Sequence, residues 1–160
     1  FKFGIMLIRN AKITEGYEIE ALVKLCAEDS EGMMITPEEA VGAISSAVIN
    51  KHSRIMVAIH DTKIIGAIIG NLGMTSSSAH NMEVAMCIHS EFRGKKVGFT
   101  LAQIFVNEFS YLNIHVNVSE SNTIVLGLLE GLNFKEAGRL PKYIKEKSGY
   151  KDKIILFYYG

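Results

Sequence analysis

Two runs rich in Ile and Val, residues 54–60 and 63–72, are separated only by Asp61-Thr62. Branched side chains favour extended backbone, and so short a polar gap turns the chain straight back on itself. An antiparallel hairpin is therefore set early, and the rest of the chain must extend its sheet or cover it. Residues 82–89 read as the next strand, with Val84, Met86 and Ile88 on one face and Glu83, Ala85, Cys87 and His89 on the other. Residues 98–109 read as a helix carrying Leu101, Phe105 and Phe109 at i, i+4 and i+8. Residues 112–118 alternate strictly, with Leu112, Ile114, Val116 and Val118 facing a core and Asn113, His115 and Asn117 opposite. Ser121-Asn122 caps a short helix running to about Gly131, and two strands close the chain near 134–137 and 153–159.

Upstream, residues 5–9 read as a first strand. A helix follows, with Thr14 as its cap and Ile19, Leu22, Val23 and Cys26 on one face. In Thr36-Pro37-Glu38-Glu39, Thr is an N-cap, Pro occupies N1 and Glu39 the reciprocal capping position, so a second helix is expected there. Ala40, Val41, Ile44, Ala47 and Val48 form its buried face. The polar stretch 74–80, with three consecutive serines, is a loop. Together these elements predict an α/β fold, a mixed sheet of six to seven strands with helices on both faces.

The 160 residues carry no internal repeat and no Pro/Gly linker, so a single domain spanning 1–160 is expected. Seventeen basic residues balance seventeen acidic ones, which argues against nucleic acid as a partner, because such binding rests on an excess of Lys and Arg. No apolar run reaches the roughly 18 residues of a membrane span, so no membrane association is expected. The chain starts at Phe1 rather than Met, so residues ahead of it are expected to be missing, and the opening residues are too short a run for a signal peptide. Cys26 and Cys87 lie far apart in no paired motif, which points to a reducing cytoplasm. The five histidines, 52, 60, 80, 89 and 115, show no i, i+4 pair and no cysteine partner, so no metal site is expected.

The segment Phe92-Arg93-Gly94-Lys95-Lys96-Val97-Gly98 joins a strand to a helix. Such a junction aims backbone N–H groups and the positive end of a helix dipole at one spot. Gly94 and Gly98 let the main chain bend and approach a ligand, and Arg93, Lys95 and Lys96 add positive charge. These are the parts of a diphosphate-binding turn. The simpler reading, a glycine-containing helix start beside a solvated basic turn, carries comparable weight for the loop alone.

In its context the turn resembles the GNAT superfamily of N-acetyltransferases. That family has a strand, then an Arg/Gln-x-x-Gly-x-Gly/Ala turn opening a helix. A second strand follows, then an Asn opening a helix that ends near Leu-Gly-Phe. The matching residues are Ile88 to Gly94, then Val116-Asn117-Val118-Ser119-Glu120-Ser121-Asn122, then Leu132-Asn133-Phe134. The first strand, two helices and hairpin match as well, so the likeness covers nearly the whole chain. It implies the GNAT-like acyl-CoA N-acyltransferase fold and acetyl-CoA as co-substrate. The backbone of Cys87 and Ile88 would then hold the pantetheine arm. The turn of Arg93, Gly94, Lys95, Lys96, Val97 and Gly98 would hold the diphosphate, and Asn122 would contact the cofactor. The two central strands would splay to admit the thioester.

Two departures bear on this. Lys96 stands where the family has its first Gly, and a left-handed backbone there costs about 1–2 kcal/mol. Asn133 replaces the Gly of Leu-Gly-Phe, and Asn tolerates positive φ better than most residues. Neither removes a backbone donor.

A thioester is already activated, so the protein has to orient an amine, remove a proton, stabilise the oxyanion and protonate the leaving thiolate. Many relatives use a Tyr as acid where this chain has Leu129. Those acting on ribosomal-protein N-termini place a Glu where this chain has Asn117. Candidates by position are Glu83 as base and Tyr143 as acid, with Tyr150, His89 and His115 as further options. Each has a bland reading beside it: a solvated strand carboxylate, packed tyrosines, exposed or satisfied histidines. Cys87 reads as a small core residue rather than a nucleophile. The expected activity is acetyl transfer from acetyl-CoA to a small-molecule amine or a peptide N-terminus. The alternative is a CoA-binding sensor or regulatory module without catalysis, which Leu129 and Asn117 favour. Strands near the C-terminus leave a sheet edge through which a homodimer could form.

Overall fold

A computed structural model describes residues 6–29 and 51–159. Seven strands form one sheet: β1 (Leu7–Asn10), β2 (Ser53–His60), β3 (Lys63–Leu72), β4 (Asn81–Ile88), β5 (Asn113–Ser119), β6 (Phe134–Glu146) and β7 (Gly149–Tyr158). Their spatial order is β1-β2-β3-β4-β5-β7-β6. The described helices are α1 (Gly16–Asp29), α2 (Val97–Glu108) and α3 (Thr123–Gly131). The helix expected around residues 36–48 lies outside the described residues, as does Ile5 of the expected first strand.

The hairpin forms as its sequence dictates. His60 pairs with Lys63, and Asp61 and Thr62 both take positive φ, 48° and 67°. That is the twist a two-residue turn needs to match two right-twisted strands. Alternation along the strands then divides the core between the two faces of the sheet. Met56, Ala58, Ile68, Met82 and Val84 pack with Leu101 and Phe105 of α2 and Leu129 of α3. Val57, Ala67, Ile69 and Cys87 pack on the other face against Ile19, Leu22, Val23 and Cys26 of α1. The apolar stripe read for α1 is the one it buries, at about 25 cal/mol per Å² of apolar surface removed from water.

Two stretches differ from the sequence expectation: the start of α1 and the closing hairpin, whose second strand begins at Gly149 rather than near 153. Thr14 does not cap α1; it lies inside a 3₁₀ turn, Ile13–Glu15, that runs directly into Gly16. The turn is held by Glu15, whose carboxylate accepts the Lys12 N–H at 2.7 Å and both terminal nitrogens of Arg9 at 2.7 Å. A bidentate charge-assisted pair outcompetes a lone hydroxyl cap. The Arg9 guanidinium holds the Glu15 carboxyl at about 2, below its ordinary 4.5. A carboxyl lowered on folding stabilises the fold above its unfolded pKa. That contribution is lost as pH falls from 4.5 toward 2. Glu15→Gln is therefore expected to lower the thermal midpoint by a few degrees at pH 7 and to flatten its fall over that acidic window, as read by melting curves against pH.

The second difference is β6. The sequence ends a strand at 137, but the structure carries it through Glu146, paired with β7 in a long hairpin. Gly138 and Pro141 do not end it, because β6 is the outer strand of the sheet, where Pro is tolerated. The register slips between Leu140 and Ile144, Lys142 takes φ 52°, and its N–H donates to Asp152 Oδ1 at 3.0 Å. Arg139 pins the same stretch, bonding Glu136, Glu120 and Asp152 at 3.1 to 3.3 Å. Tyr143 therefore sits on a braced strand rather than in a loop.

Candidate active site

β4 and β5 run parallel, but they pair only from Asn81↔Asn113 to Glu83↔His115. Beyond that point β4 stays with β3 as far as Ile88, and β5 stays with β7 as far as Ser119. Each strand continues with its outer neighbour while the ladder between them stops. A cavity of 430 Å³ opens in the gap. Val84, Met86, Val116 and Leu128 line it on the α2/α3 side, and Glu83, Asn117, Tyr143 and Lys153 line it as well. Neighbouring strand residues point to opposite faces, so a cavity touching both Glu83 and Val84 passes through the sheet.

The direction of the β4 amides follows from one hydrogen bond. His89 N–H donates to Ile65 O of β3 at 2.7 Å, just past the Gly66↔Ile88 pair. Amides alternate along a strand, so Cys87 also faces β3, while Met86 and Ile88 present their N–H groups to the gap. Of the expected pantetheine pair, Ile88 therefore has its amide at the gap, whereas the Cys87 amide faces β3. The Ile88 carbonyl is already engaged, accepting from Arg93 Nε at 2.9 Å and Cys26 Sγ at 3.4 Å.

The turn leading to α2 has the backbone the sequence suggests. Gly94 has φ 73°, and Lys96 is left-handed at φ 63°, ψ 12°. The first bond of α2 runs from Thr100 N–H to Lys96 O at 3.0 Å. The amides of Val97, Gly98 and Phe99 therefore point out of the helix end without an intrahelical acceptor. A Cβ on Gly98 would lie 3.2 Å from Met86 Cε and 3.5 Å from Ile88 Cγ1, so this helix end rests on β4 beside the gap. Two of the basic side chains brace the turn. Arg93 holds the Ile88 carbonyl, and Lys95 Nζ donates to Glu91 O at 3.0 Å and lies 5.9 Å from the Phe92 ring. Lys96 is exposed. Asn122 caps α3, its Oδ1 accepting the Val125 N–H at 3.3 Å, and it forms part of the cavity wall.

On the opposite side of the sheet, Glu83 Oε1 accepts from Asn117 Nδ2 at 2.6 Å. This bond spans from β4 to β5 just where their pairing ends. Tyr143, 60% exposed, also lines the cavity, and Lys153 Nζ lies 4.6 Å from the centre of its ring. Tyr150 is exposed and does not line the cavity. His89 accepts the Glu91 N–H at 3.2 Å, and His115 stacks on Phe157 at 6.1 Å. Leu129 is buried in the cavity wall. Hydrogen bonding to Cys26 and burial push the Cys87 thiol well above its ordinary range, which disfavours the thiolate a nucleophile needs. Among the described residues no group of three or more His, Cys, Asp and Glu could hold a metal ion, and no helix is long and apolar enough to cross a membrane.

Sequence reasoning missed the partnership of Asn117 with Glu83 and the place of Lys153. Both lie on the i, i+2 face of recognised strands, so strand alternation was the available signal. Which strands lie side by side was not.

The fold is shared with many solved acetyltransferase structures. One is an acetyltransferase of the GNAT family from Streptococcus pneumoniae, with TM-score 0.80, 15% identity and coverage of 96% of this chain and 98% of that one. Another is a ribosomal-protein-alanine N-acetyltransferase from Brucella melitensis, with TM-score 0.78, 16% identity and coverage of 94% and 98%. A third is yncA of Salmonella typhimurium, solved with its cofactor acetyl-CoA, with TM-score 0.80, 12% identity and coverage of 96% and 93%. At these identities the likeness shows the fold. No curated protein matches the chain in sequence. The model of the Acetyltransferase (GNAT) family matches residues 17–134. The chain belongs to the GNAT acetyltransferase family. It is accordingly an N-acetyltransferase, an enzyme of the acyltransferase class, built on a fold that uses acetyl-CoA.

Proposed function

We propose that this enzyme moves the acetyl group of acetyl-CoA directly onto the primary amine of a small molecule or a peptide N-terminus. The observation that carries this is the cavity through the sheet. It extends from Met86, the β4 residue beside the start of α2, to the hydrogen-bonded carboxylate of Glu83. A long donor held at one end and an amine presented at the other can meet only in such a passage.

The main chain from Arg93 to Gly98 is assigned the diphosphate, with the amides of Val97 and Gly98 donating and the α2 dipole favouring the charge. Asn122 contacts the donor from the start of α3, its side-chain nitrogen remaining available while its oxygen caps the helix. The amides of Met86 and Ile88 take the pantetheine arm, and the one nearer the thioester stabilises charge developing on the carbonyl oxygen. Glu83 accepts the proton that the amine gives up. An amine of pKa about 10 is almost fully protonated at neutral pH, so a positioned acceptor is useful. Asn117 holds that carboxylate at the gap by donating to Oε1. Tyr143 supplies the proton that the departing sulfur takes. With Cys87 buried and held as a thiol, no covalent acyl-enzyme is formed and the transfer occurs in one step from a ternary complex.

The test is release of free CoA thiol on incubation with acetyl-CoA and a panel of amines. Turnover with at least one amine is expected. Tight acetyl-CoA binding without thiol release would favour the sensor reading instead. Tyr143→Phe is expected to lower kcat about a hundredfold while leaving the acetyl-CoA dissociation constant unchanged, as measured by the same assay and by calorimetry.

A further inference from the structure

The acceptor half of the cavity contains a cation that the reaction scheme does not use. Lys153 pairs with Ser119 across β5 and β7, two residues along from Asn117 and on the same face of the sheet. Its ammonium lies over the Tyr143 ring at 4.6 Å, and both side chains line the cavity. Among the described residues no carboxylate comes within ion-pair distance of it, and the acidic groups nearby are engaged elsewhere. Glu146 accepts from the hydroxyls of Ser119 and Ser121 at 2.6 and 2.7 Å. Asp152 accepts from Lys142 N–H and pairs with Arg139, and Glu120 accepts from Asp152 N–H and pairs with Arg139. Glu83 is taken by Asn117.

Lys153 is half-buried, and its ammonium faces a ring with no counter-ion among the described residues. We propose that Lys153 is the acceptor-specificity residue. Together with Tyr143 it forms an anion subsite, so that the favoured acceptor is a small amino carboxylic acid. This rests on the reading of Glu83 as the base that receives the amine. One cavity then offers a carboxylate to the ammonium end of the acceptor and an ammonium to its carboxylate end, the complement of a zwitterion. A peptide N-terminus, which has a neutral amide in place of that carboxylate, fits the subsite less well.

The experiment compares α-amino acids with their own carboxamides as acceptors of the full chain, with kcat/KM followed by thiol release. The acids are expected to exceed the amides roughly ten- to a hundredfold, a charge-assisted contact being lost in the amide. Lys153→Met is expected to erase that preference by raising KM for the acid, with KM for acetyl-CoA unchanged. Lys153→Arg is expected to retain most of it. Equal use of acids and amides, or a preference that survives in Lys153→Met, overturns the inference while leaving the proposed activity standing. A rise in KM for acetyl-CoA in Lys153→Met also overturns it, by assigning the lysine to the donor half. Failure to acetylate either class while acetyl-CoA still binds removes the inference together with the activity beneath it.

Discussion

Replacing Gly98 with aspartate is expected to abolish acetyl-CoA binding, weakening it at least a hundredfold by titration calorimetry, with the helical and sheet content of the protein retained. The position combines three demands. Its amide belongs to the first turn of α2, where no intrahelical acceptor exists. Its missing side chain lets the helix end rest against Met86 and Ile88, where an added Cβ would lie 3.2 and 3.5 Å from their side chains. It also lies beside the place where a doubly charged diphosphate is to sit. A carboxylate there meets apolar atoms on one side and anionic oxygens on the other, and like charges at 4 Å repel by about 4 kcal/mol at an effective dielectric of 20. Lys96→Gly is the paired control. Lys96 holds φ 63°, which Gly adopts without strain, so backbone donors are kept and binding should change by less than about threefold. A lysine charge that matters more than the amides would reverse this order.

Glu83→Gln is expected to give the second large effect, a fall in kcat of roughly 10²–10³ with the acetyl-CoA dissociation constant unchanged. Gln keeps the size of the side chain and can still accept from Asn117, so the strands at the gap remain joined while proton acceptance is lost. Asn117→Ala leaves the carboxylate but removes the donor that aims it, and should cost about tenfold in kcat. Single-turnover kinetics separate these losses from any change in product release. Equal kcat in wild type and Glu83→Gln would show that another group or a water relay takes the proton.

Elements built from local pattern were legible in the sequence. The stripe of Ile19, Leu22, Val23 and Cys26 is the buried face of α1, and Ile114, Val116 and Val118 are the buried face of β5. Both departures from the family pattern took the backbone their positions demanded, with φ 63° at Lys96 and 67° at Asn133. These features depend on a few neighbouring residues. The failures depend on which partner each residue finds, near in the chain for Thr14 and far along it for the rest. The strand opening at Phe134 runs on to Glu146 because β6 pairs with β7 at the sheet edge, where Pro141 is tolerated. Thr14 reads as a cap until Arg9 is seen to claim Glu15 and fold the stretch into a tighter turn. The Glu83–Asn117 bond joins residues 34 apart and exists because the ladder between β4 and β5 ends at Glu83↔His115. The Cys87 amide faces β3 rather than the gap because the β3–β4 pairing, through Gly66↔Ile88, sets which amides of β4 point outward. Lys153 becomes a cation of the cavity because the β6–β7 hairpin sets it over the Tyr143 ring.

The central claim is that unpaired main-chain amides at the entry to α2 seize a diphosphate and thread the attached thiol arm between β4 and β5. A structure determined with bound CoA tests it most directly. Phosphate oxygens are expected within about 3 Å of the Val97 and Gly98 nitrogens, and the sulfur in the gap beside Met86 and Glu83. CoA bound away from this turn, or these amides bonded to the protein's own acceptors with the ligand present, would contradict it.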